Sequence, residues 1–268
     1  MQQLQNPPRP TVRGIVRDHR DDAPLHQHPH GEEPEREPRW PWLVAGIAAA
    51  WLAQFVLPGN FTWFLAAFPH EMGHATLGCL FGRPSAPAVS LAGEAWAGIG
   101  DRRTWLVWTV ASVCAIAAFA QREQRARGLL LGIAALAIPA IAFTSLSEVL
   151  IAAGGHLGEI AFAAFCYSLC WNGGYTGTVQ ERIASAMAGA LLQANSLRLC
   201  FGLLTSDAAR DLYATNGSLG MKNDMLVLAE DLCDCRLQAV ALVFLVLSVL
   251  ALPAGLLLGH WRRGAHAD

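Results

Sequence analysis

The chain alternates between long apolar runs and short polar connections. About twenty apolar residues are needed to cross the hydrocarbon core of a bilayer as an α-helix. The apolar runs lie at 40–58, 61–81, 104–120, 128–151, 157–171, 183–204 and 236–259. Because backbone groups that face lipid must be hydrogen-bonded within their own segment, each run that crosses should be helical. The pattern predicts an all-α polytopic integral membrane protein with six or seven transmembrane helices, depending on whether 157–171 crosses.

Two segments interrupt the helical pattern. Residues 84–103, PSAPAVSLAGEAWAGIGDRR, contain small residues, some alternation and a Gly93-Glu94 turn. This segment is too short and too rich in glycine for a clean span, so a β-hairpin or a re-entrant loop sheltered by protein is predicted after the second helix. Gly154 and Gly155 are expected to break a helix, which predicts a connection at 152–156.

The ends of the chain differ from its centre. Residues 1–39 are rich in Pro, Arg, Glu, Asp and His and contain few bulky apolar residues. Such a segment cannot bury enough surface to fold, so it is predicted to be a disordered tail. The membrane domain is assigned to 40–260 and a short C-terminal tail to 261–268. His26, His28 and His30 in the N-terminal tail are better interpreted as solvated chain than as a metal site.

Composition agrees with a membrane protein. The chain is 53% hydrophobic and 15% charged, whereas soluble domains carry roughly 25% charged residues. A net charge of −2 gives no indication of nucleic-acid binding. The side that would hold the N-terminal tail, 82–103 and 205–235 carries more Lys and Arg than the other side, which predicts a cytoplasmic N-terminus.

The second apolar run contains the sequence His-Glu-Met-Gly-His at residues 70–74. His70 and His74 lie on one helix face and can hold one zinc ion, while Glu71 can take a proton from zinc-bound water. Glu71 lies about 100° round the helix from His70, which favours a base rather than a ligand. A carboxylate in a spanning helix costs roughly 2.5–3.5 kcal/mol, so it usually has a function. The alternative interpretation is a polar packing network between helices.

Catalytic zinc usually has three protein ligands. The sequence pattern identifies two of them and offers several candidates for the third. Asp224 lies in KNDMLVLAEDL, just before or within a helical segment, where it could also be an N-cap. His156 and Glu159 lie in GGHLGE, and either could be a ligand or could orient one. His156 could also orient the substrate carbonyl, or be a polar residue at an interfacial turn. Glu148 lies near the end of the fourth run. Gln193, Asn195 and Arg198 in the sixth run are interpreted as an interhelical hydrogen-bond network.

The segment PHEMGHATLGCLFGRP is similar to the first motif of the site-2 protease family, which are intramembrane zinc metalloproteases. In that family a membrane-dipping hairpin follows the motif, as predicted here for 84–103. The third ligand of the family is an aspartate in a later helix. Asn223-Asp224-Met225, followed by LAEDL, resembles a divergent bacterial branch, and the resemblance implies that Asp224 is the third zinc ligand.

The resemblance also implies a function and a location. We expect a zinc-dependent endopeptidase of a bacterial inner membrane that cleaves membrane-embedded proteins or peptides, with Glu71 as the general base. One alternative is a catalytically inactive module that binds metal or a partner helix. Another is a metal transporter that uses the same histidines.

Overall fold

The structure is a computed structural model that describes residues 39–57, 59–90, 94–215 and 222–264, without the side chains of 59–61 and 263–264. The predicted tail at 1–39, with its three histidines, therefore lies outside the described residues except for Arg39. The last four residues also lie outside them. Within the described part, helix α9 continues to Gly264, beyond the predicted end of the membrane domain at 260.

Helices dominate the described chain. The first five elements are α1 Trp40–Val56, α2 Gly59–Leu80, β1 Ser85–Val89, β2 Ala95–Ile99 and α3 Thr104–Ala120. The next three are α4 Arg125–Ala142, α5 Leu146–Asn172 and α6 Val179–Thr205. The last four are α7 Asp207–Thr215, α8 Asp224–Leu226, a π-helical turn Val227–Leu232 and α9 Leu237–Gly264.

Four of these helices are long and apolar enough to cross a membrane, namely α4, α5, α6 and α9. Helices α1 and α3 are apolar but shorter. Helix α2 has 22 residues, and its apolar character is interrupted by the HEMGH sequence. The helices are consistent with the predicted class, an all-α integral membrane protein in a lipid bilayer.

The segment after α2 forms a β-hairpin. Strands β1 and β2 pair antiparallel, with Ser85 opposite Ile99 and Val89 opposite Ala95. At the base of the hairpin, Gly82 has φ +80, a backbone conformation that glycine adopts without strain. Its carbonyl accepts a hydrogen bond from the Arg103 N–H at 2.6 Å. The predicted turn at Gly93 lies outside the described residues.

The predicted helix break at 152–156 is wrong. Helix α4 ends at Ala142, and α5 runs without interruption from Leu146 through Gly154 and Gly155. The turn between them is stabilised by hydroxyl groups, since Thr144 donates to the Ile141 carbonyl at 2.8 Å. Ser147 likewise donates to the Thr144 carbonyl at 2.8 Å. His156 is therefore inside a helix and not at an interfacial turn.

Glycine in α5 allows close packing instead of ending the helix. A Cβ atom at Gly154 would lie 3.0 Å from the Gly73 carbonyl oxygen, and one at Gly158 would lie 2.9 Å from the Gly73 Cα. Small residues four apart let two helix backbones approach closely, as in other membrane proteins. Helix α5 thus lies directly against the HEMGH turn of α2, and it also packs against α6 and α9.

Candidate metal centre

The two histidines of α2 are both oriented by α5. The carbonyl oxygen of Ile151 can only accept a hydrogen bond, so His74 donates from Nδ1, at 2.7 Å. His70 donates from Nδ1 to Glu159 Oε1 at 2.6 Å. With both Nδ1 atoms engaged in this way, each ring presents Nε2 to the space between α2 and α5. The predicted histidine pair is therefore held in an orientation suited to binding one ion.

Asp224 completes a group of three ligand atoms. Its Oδ2 lies 2.8 Å from His70 Nε2 and 2.9 Å from His74 Nε2. The two Nε2 atoms are 3.3 Å apart. Zinc with bonds of about 2.0–2.1 Å in tetrahedral geometry places its ligand atoms about 3.3 Å from one another. The distance between the two Nε2 atoms equals this value, and the two distances from Asp224, which lies at least 150 positions further along the chain, are about 0.4–0.5 Å shorter.

The chemistry of the three atoms also fits a cation. Neutral histidines that donate from Nδ1 have lone pairs on Nε2, and an ionised carboxylate can only accept. Three such acceptors repel one another unless a cation or additional protons lie between them.

Gly155 leaves room at the ligand atoms. A Cβ atom at this position would lie 2.3 Å from His70 Nε2 and 2.5 Å from His74 Nε2. Any side chain at residue 155 would therefore occupy the space that the two nitrogens face. Imidazole nitrogens and a carboxylate oxygen around such a space are ligand types that a divalent metal ion takes.

Contacts with Tyr213 on α7 hold the segment that carries Asp224. It is the first residue of α8 and follows Asn223, which holds the N-cap position, so the N-cap interpretation of Asp224 is wrong. The Asn223 side-chain amide donates to the Tyr213 carbonyl, and the Met225 N–H donates to the Tyr213 hydroxyl at 3.4 Å. Burial, together with the nearby charge of Asp224, raises the pKa of the Tyr213 hydroxyl, which stays neutral.

Lys222 links the start of this segment to the π-helical turn. Its ammonium group donates to Asp231 at 2.8 Å and to Glu230 at 3.2 Å. These two hydrogen bonds raise the pKa of Lys222. The ion pairs are exposed to water and contribute little stability.

Glu71 is buried and faces the same cavity as the three ligand atoms. Only 7% of the surface of Glu71 is exposed, although its side chain is a carboxylate. The cavity has a volume of about 1000 Å³, and its wall includes β2 as well as α2, α5 and Asp224. Glu71 thus shares a large cavity with the ligand atoms, and a carboxyl group is a side chain that can accept and donate a proton.

The other three candidates for the third ligand have different surroundings. Glu159 contacts His70 at Nδ1, whereas Asp224 contacts the same ring at Nε2. The second carboxylate oxygen of Glu159, Oε2, accepts a hydrogen bond from Ser196 Oγ at 2.8 Å. Glu148 is at the rim of the cavity and pairs with Arg83 at 2.8 Å. His156 is buried, and its ring meets the His70 ring edge-on at 4.9 Å. One ligand atom each from His70, His156 and Asp224 lie within 4.8 Å of one another.

The predicted network in the sixth run is confirmed for Gln193 alone. Tyr167 on α5 donates to Gln193 Oε1 at 2.6 Å, and Gln193 Nε2 donates to the Ser248 carbonyl on α9 at 2.7 Å. Asn195 lines the cavity, and Arg198 is exposed.

Sequence reasoning did not find Ser196, the Ile151 carbonyl or the role of Gly155. The spacing of Gly154 and Gly158 was the available signal, because small residues four apart indicate a close helix contact. From the sequence alone, the adjacent pair Gly154-Gly155 instead favours a helix break, which α5 does not have.

Comparison of the chain with protein-family models, with curated proteins and with solved structures gives no match.

Proposed function

We propose that this protein is a zinc-dependent endopeptidase that cleaves membrane-embedded protein or peptide substrates, as the resemblance to site-2 proteases implies. The observation that carries the proposal is the convergence of His70 Nε2, His74 Nε2 and Asp224 Oδ2 within 3.3 Å. Glu71 lies beside them in the same cavity. Two histidines, a third ligand and a neighbouring carboxylate are the components that hydrolytic zinc sites share.

Each protein group then has a defined role in hydrolysis. His70, His74 and Asp224 would hold zinc. When bound, zinc would polarise the scissile carbonyl and make a water molecule acidic enough to lose a proton and act as the nucleophile. Glu71 accepts a proton from that water as its oxygen bonds to the carbonyl carbon. Glu71 then gives the proton to the leaving nitrogen as the C–N bond breaks. The second proton of the water also ends on the leaving nitrogen, so the products are a carboxylate and a protonated amine, and Glu71 returns to its starting state.

Strand β2 is the surface that we propose for binding an extended substrate. Ala95, Trp96, Ala97 and Ile99 line the cavity, and β1 occupies one edge of β2 in the two-stranded sheet. A substrate strand could add to the other edge through main-chain hydrogen bonds. An unfolded stretch of a transmembrane segment would meet this requirement, because a helix hides its backbone groups within itself.

We further propose that the metal centre opens toward the cytoplasm of a bacterial cell, with the N-terminus on the same side. The excess of Lys and Arg on that side supports this orientation. Arg83 beside the hairpin pairs with Glu148 at the start of α5, and Arg102 donates to Ser147 at 2.9 Å. These contacts support placing 82–103 and the α4–α5 connection at one membrane face.

The deciding experiment compares metal content and cleavage in purified protein. Wild type in detergent should contain about one zinc per chain, and His70→Ala should contain none. Glu71→Gln should keep zinc but cleave a membrane-embedded substrate in vesicles ~10²–10⁴-fold more slowly. Glu123→Gln, the same change at an exposed residue outside the cavity, is the matched control.

The same experiment separates the rival functions. An inactive module would bind zinc and cleave nothing in any variant. A metal transporter would move zinc across the vesicle membrane, and that movement would not require Glu71. Full cleavage by Glu71→Gln would show that the protease proposal is wrong.

A further inference from the structure

His156 is a buried side chain without hydrogen bonds. It lies on α5 immediately after Gly155, and only 5% of the residue is exposed. Among the described residues, neither Nδ1 nor Nε2 of His156 has a hydrogen-bond partner. Its nearest carboxylate oxygen, Glu159 Oε1, is 3.6 Å from Nδ1, which is too long for a hydrogen bond. That oxygen already accepts a hydrogen bond from His70.

Such a group needs an explanation, because buried polar atoms are almost always hydrogen-bonded. A neutral imidazole carries one N–H donor and one lone pair, and burying both without partners is unfavourable. Packing accounts for the position of the ring, since it meets His70 edge-on at 4.9 Å and Phe244 at 5.1 Å. Packing does not account for a histidine, since phenylalanine would fill the same space.

The position of His156 relative to the metal centre suggests what the missing partner is. The residue lines the same cavity as Glu71 and Asp224. One of its ring nitrogens lies within 4.8 Å of ligand atoms of both His70 and Asp224. The three proposed ligand atoms already form a group with distances of 2.8–3.3 Å. A donor in the same cavity, within 4.8 Å of two of these atoms, is close enough to contact an oxygen atom of a substrate bound beside them.

We propose that His156 is a catalytic residue whose N–H donates a hydrogen bond to the substrate's carbonyl oxygen as that oxygen gains negative charge. This inference rests on the proposed peptidase function. A donor that is already in place and shielded from water stabilises developing charge strongly, since it need not reorganise during the reaction. The ring of His156 is fixed in this way by the close contact of α5 with α2 and by Phe244.

The first test is His156→Phe, which keeps an aromatic ring between His70 and Phe244 and removes both ring nitrogens, the N–H donor among them. We expect this variant to retain about one zinc per chain, with kcat lowered ~10²–10³-fold and KM changed much less. His156→Gln should recover part of the lost kcat, because its side-chain amide also donates. Phe162→Leu, an exposed aromatic position on the same helix, controls for general effects of altering α5.

The second test does not depend on cleavage. A phosphinic peptide carries charged oxygens at the position of the reacting carbonyl, whereas a peptidyl thiol binds zinc through sulfur. His156→Phe should bind the phosphinic peptide ~10–100-fold more weakly than wild type does, while its affinity for the thiol stays the same. Calorimetry or competition with a fluorescent ligand measures both affinities in detergent.

Each outcome separates this inference from the proposed function. Loss of zinc in His156→Phe would make His156 a metal ligand and overturn the inference. Unchanged kcat and unchanged phosphinate affinity would also overturn it and leave His156 as a packing residue, with the peptidase intact. If phosphinate binding depends on His156 but wild type cleaves no substrate, the donor role stands and the peptidase proposal fails.

Discussion

Glu159 on α5 accepts a hydrogen bond from His70 Nδ1 on α2 across 2.6 Å. The second carboxylate oxygen of Glu159 accepts a hydrogen bond from Ser196 on α6. The carboxylate thus connects three helices and faces the side of His70 that is opposite Asp224. A carboxylate in this position fixes the orientation of the imidazole and increases its basicity toward a metal.

This relationship predicts the effect of neutralising Glu159. Glu159→Gln keeps an acceptor near His70 but removes the negative charge, so zinc affinity should fall ~10–100-fold. Competition with a chromophoric chelator would measure the affinity. Ser196→Ala, which leaves the carboxylate in place, should have a smaller effect. Unchanged affinity in Glu159→Gln would mean that Glu159 has no part in orienting the ligand.

Gly155 provides a steric test of the metal position. In Gly155→Ala the new methyl group would lie 2.3 Å from His70 Nε2 and displace either the histidines or the ion. We expect little or no bound zinc, although alanine favours the helix over glycine. Gly132→Ala on α4 is the matched control, because nothing lies within 4 Å of its Cβ position. Elemental analysis measures zinc in both variants, and equal zinc content would contradict the assigned position.

The two carboxylates of the centre should give different phenotypes. Asp224→Asn replaces a charged ligand with a neutral one at a site whose other ligands are neutral, so it should weaken both zinc binding and cleavage. Glu71→Gln should affect cleavage only. Glu230→Gln, which lies in the exposed ion pairs of Lys222, serves as a control for changes near α8. Normal zinc binding by Asp224→Asn would remove Asp224 from the ligand set.

The outer edge of β2 should be sensitive to proline. Ser90 N–H donates to Glu94 O, and Gly100 N–H donates to Pro84 O. Since pairs alternate in an antiparallel ladder, the backbone N–H of Ala97 points away from β1. Ala97→Pro would remove that donor and keep the hairpin. We expect cleavage to fall at least ~10-fold with zinc content unchanged, as a substrate strand needs main-chain partners.

A control on the other strand sharpens this test. Val89→Pro removes an N–H that points away from β2, and Pro87 already occupies the equivalent kind of position in β1. Its cleavage rate should therefore stay near that of wild type. If both proline variants cleave normally, strand addition at β2 is wrong, whereas equal losses would indicate damage to the hairpin as a whole.

The sequence alone determined the features that depend on residues close together in the chain. The long apolar runs predict membrane helices, because a helix of about twenty apolar residues matches the thickness of the hydrocarbon core of a bilayer. The placement of His70 and His74 on one face follows from helical periodicity. The hairpin after α2 was indicated by its alternation and its small residues. The number of helices that cross the bilayer and their direction remain predictions.

Only the tertiary structure decided which distant groups meet the histidines. Asp224 is separated from His74 by 150 positions and Glu159 from His70 by 89, and local spacing leaves such pairings open. Glycine weakens an isolated helix, so the sequence predicts a break at Gly154 and Gly155. In the structure these glycines instead allow the unbroken helix α5 to approach α2. Periodicity fixes which residues share a face of one helix, but packing between helices fixes which faces come together.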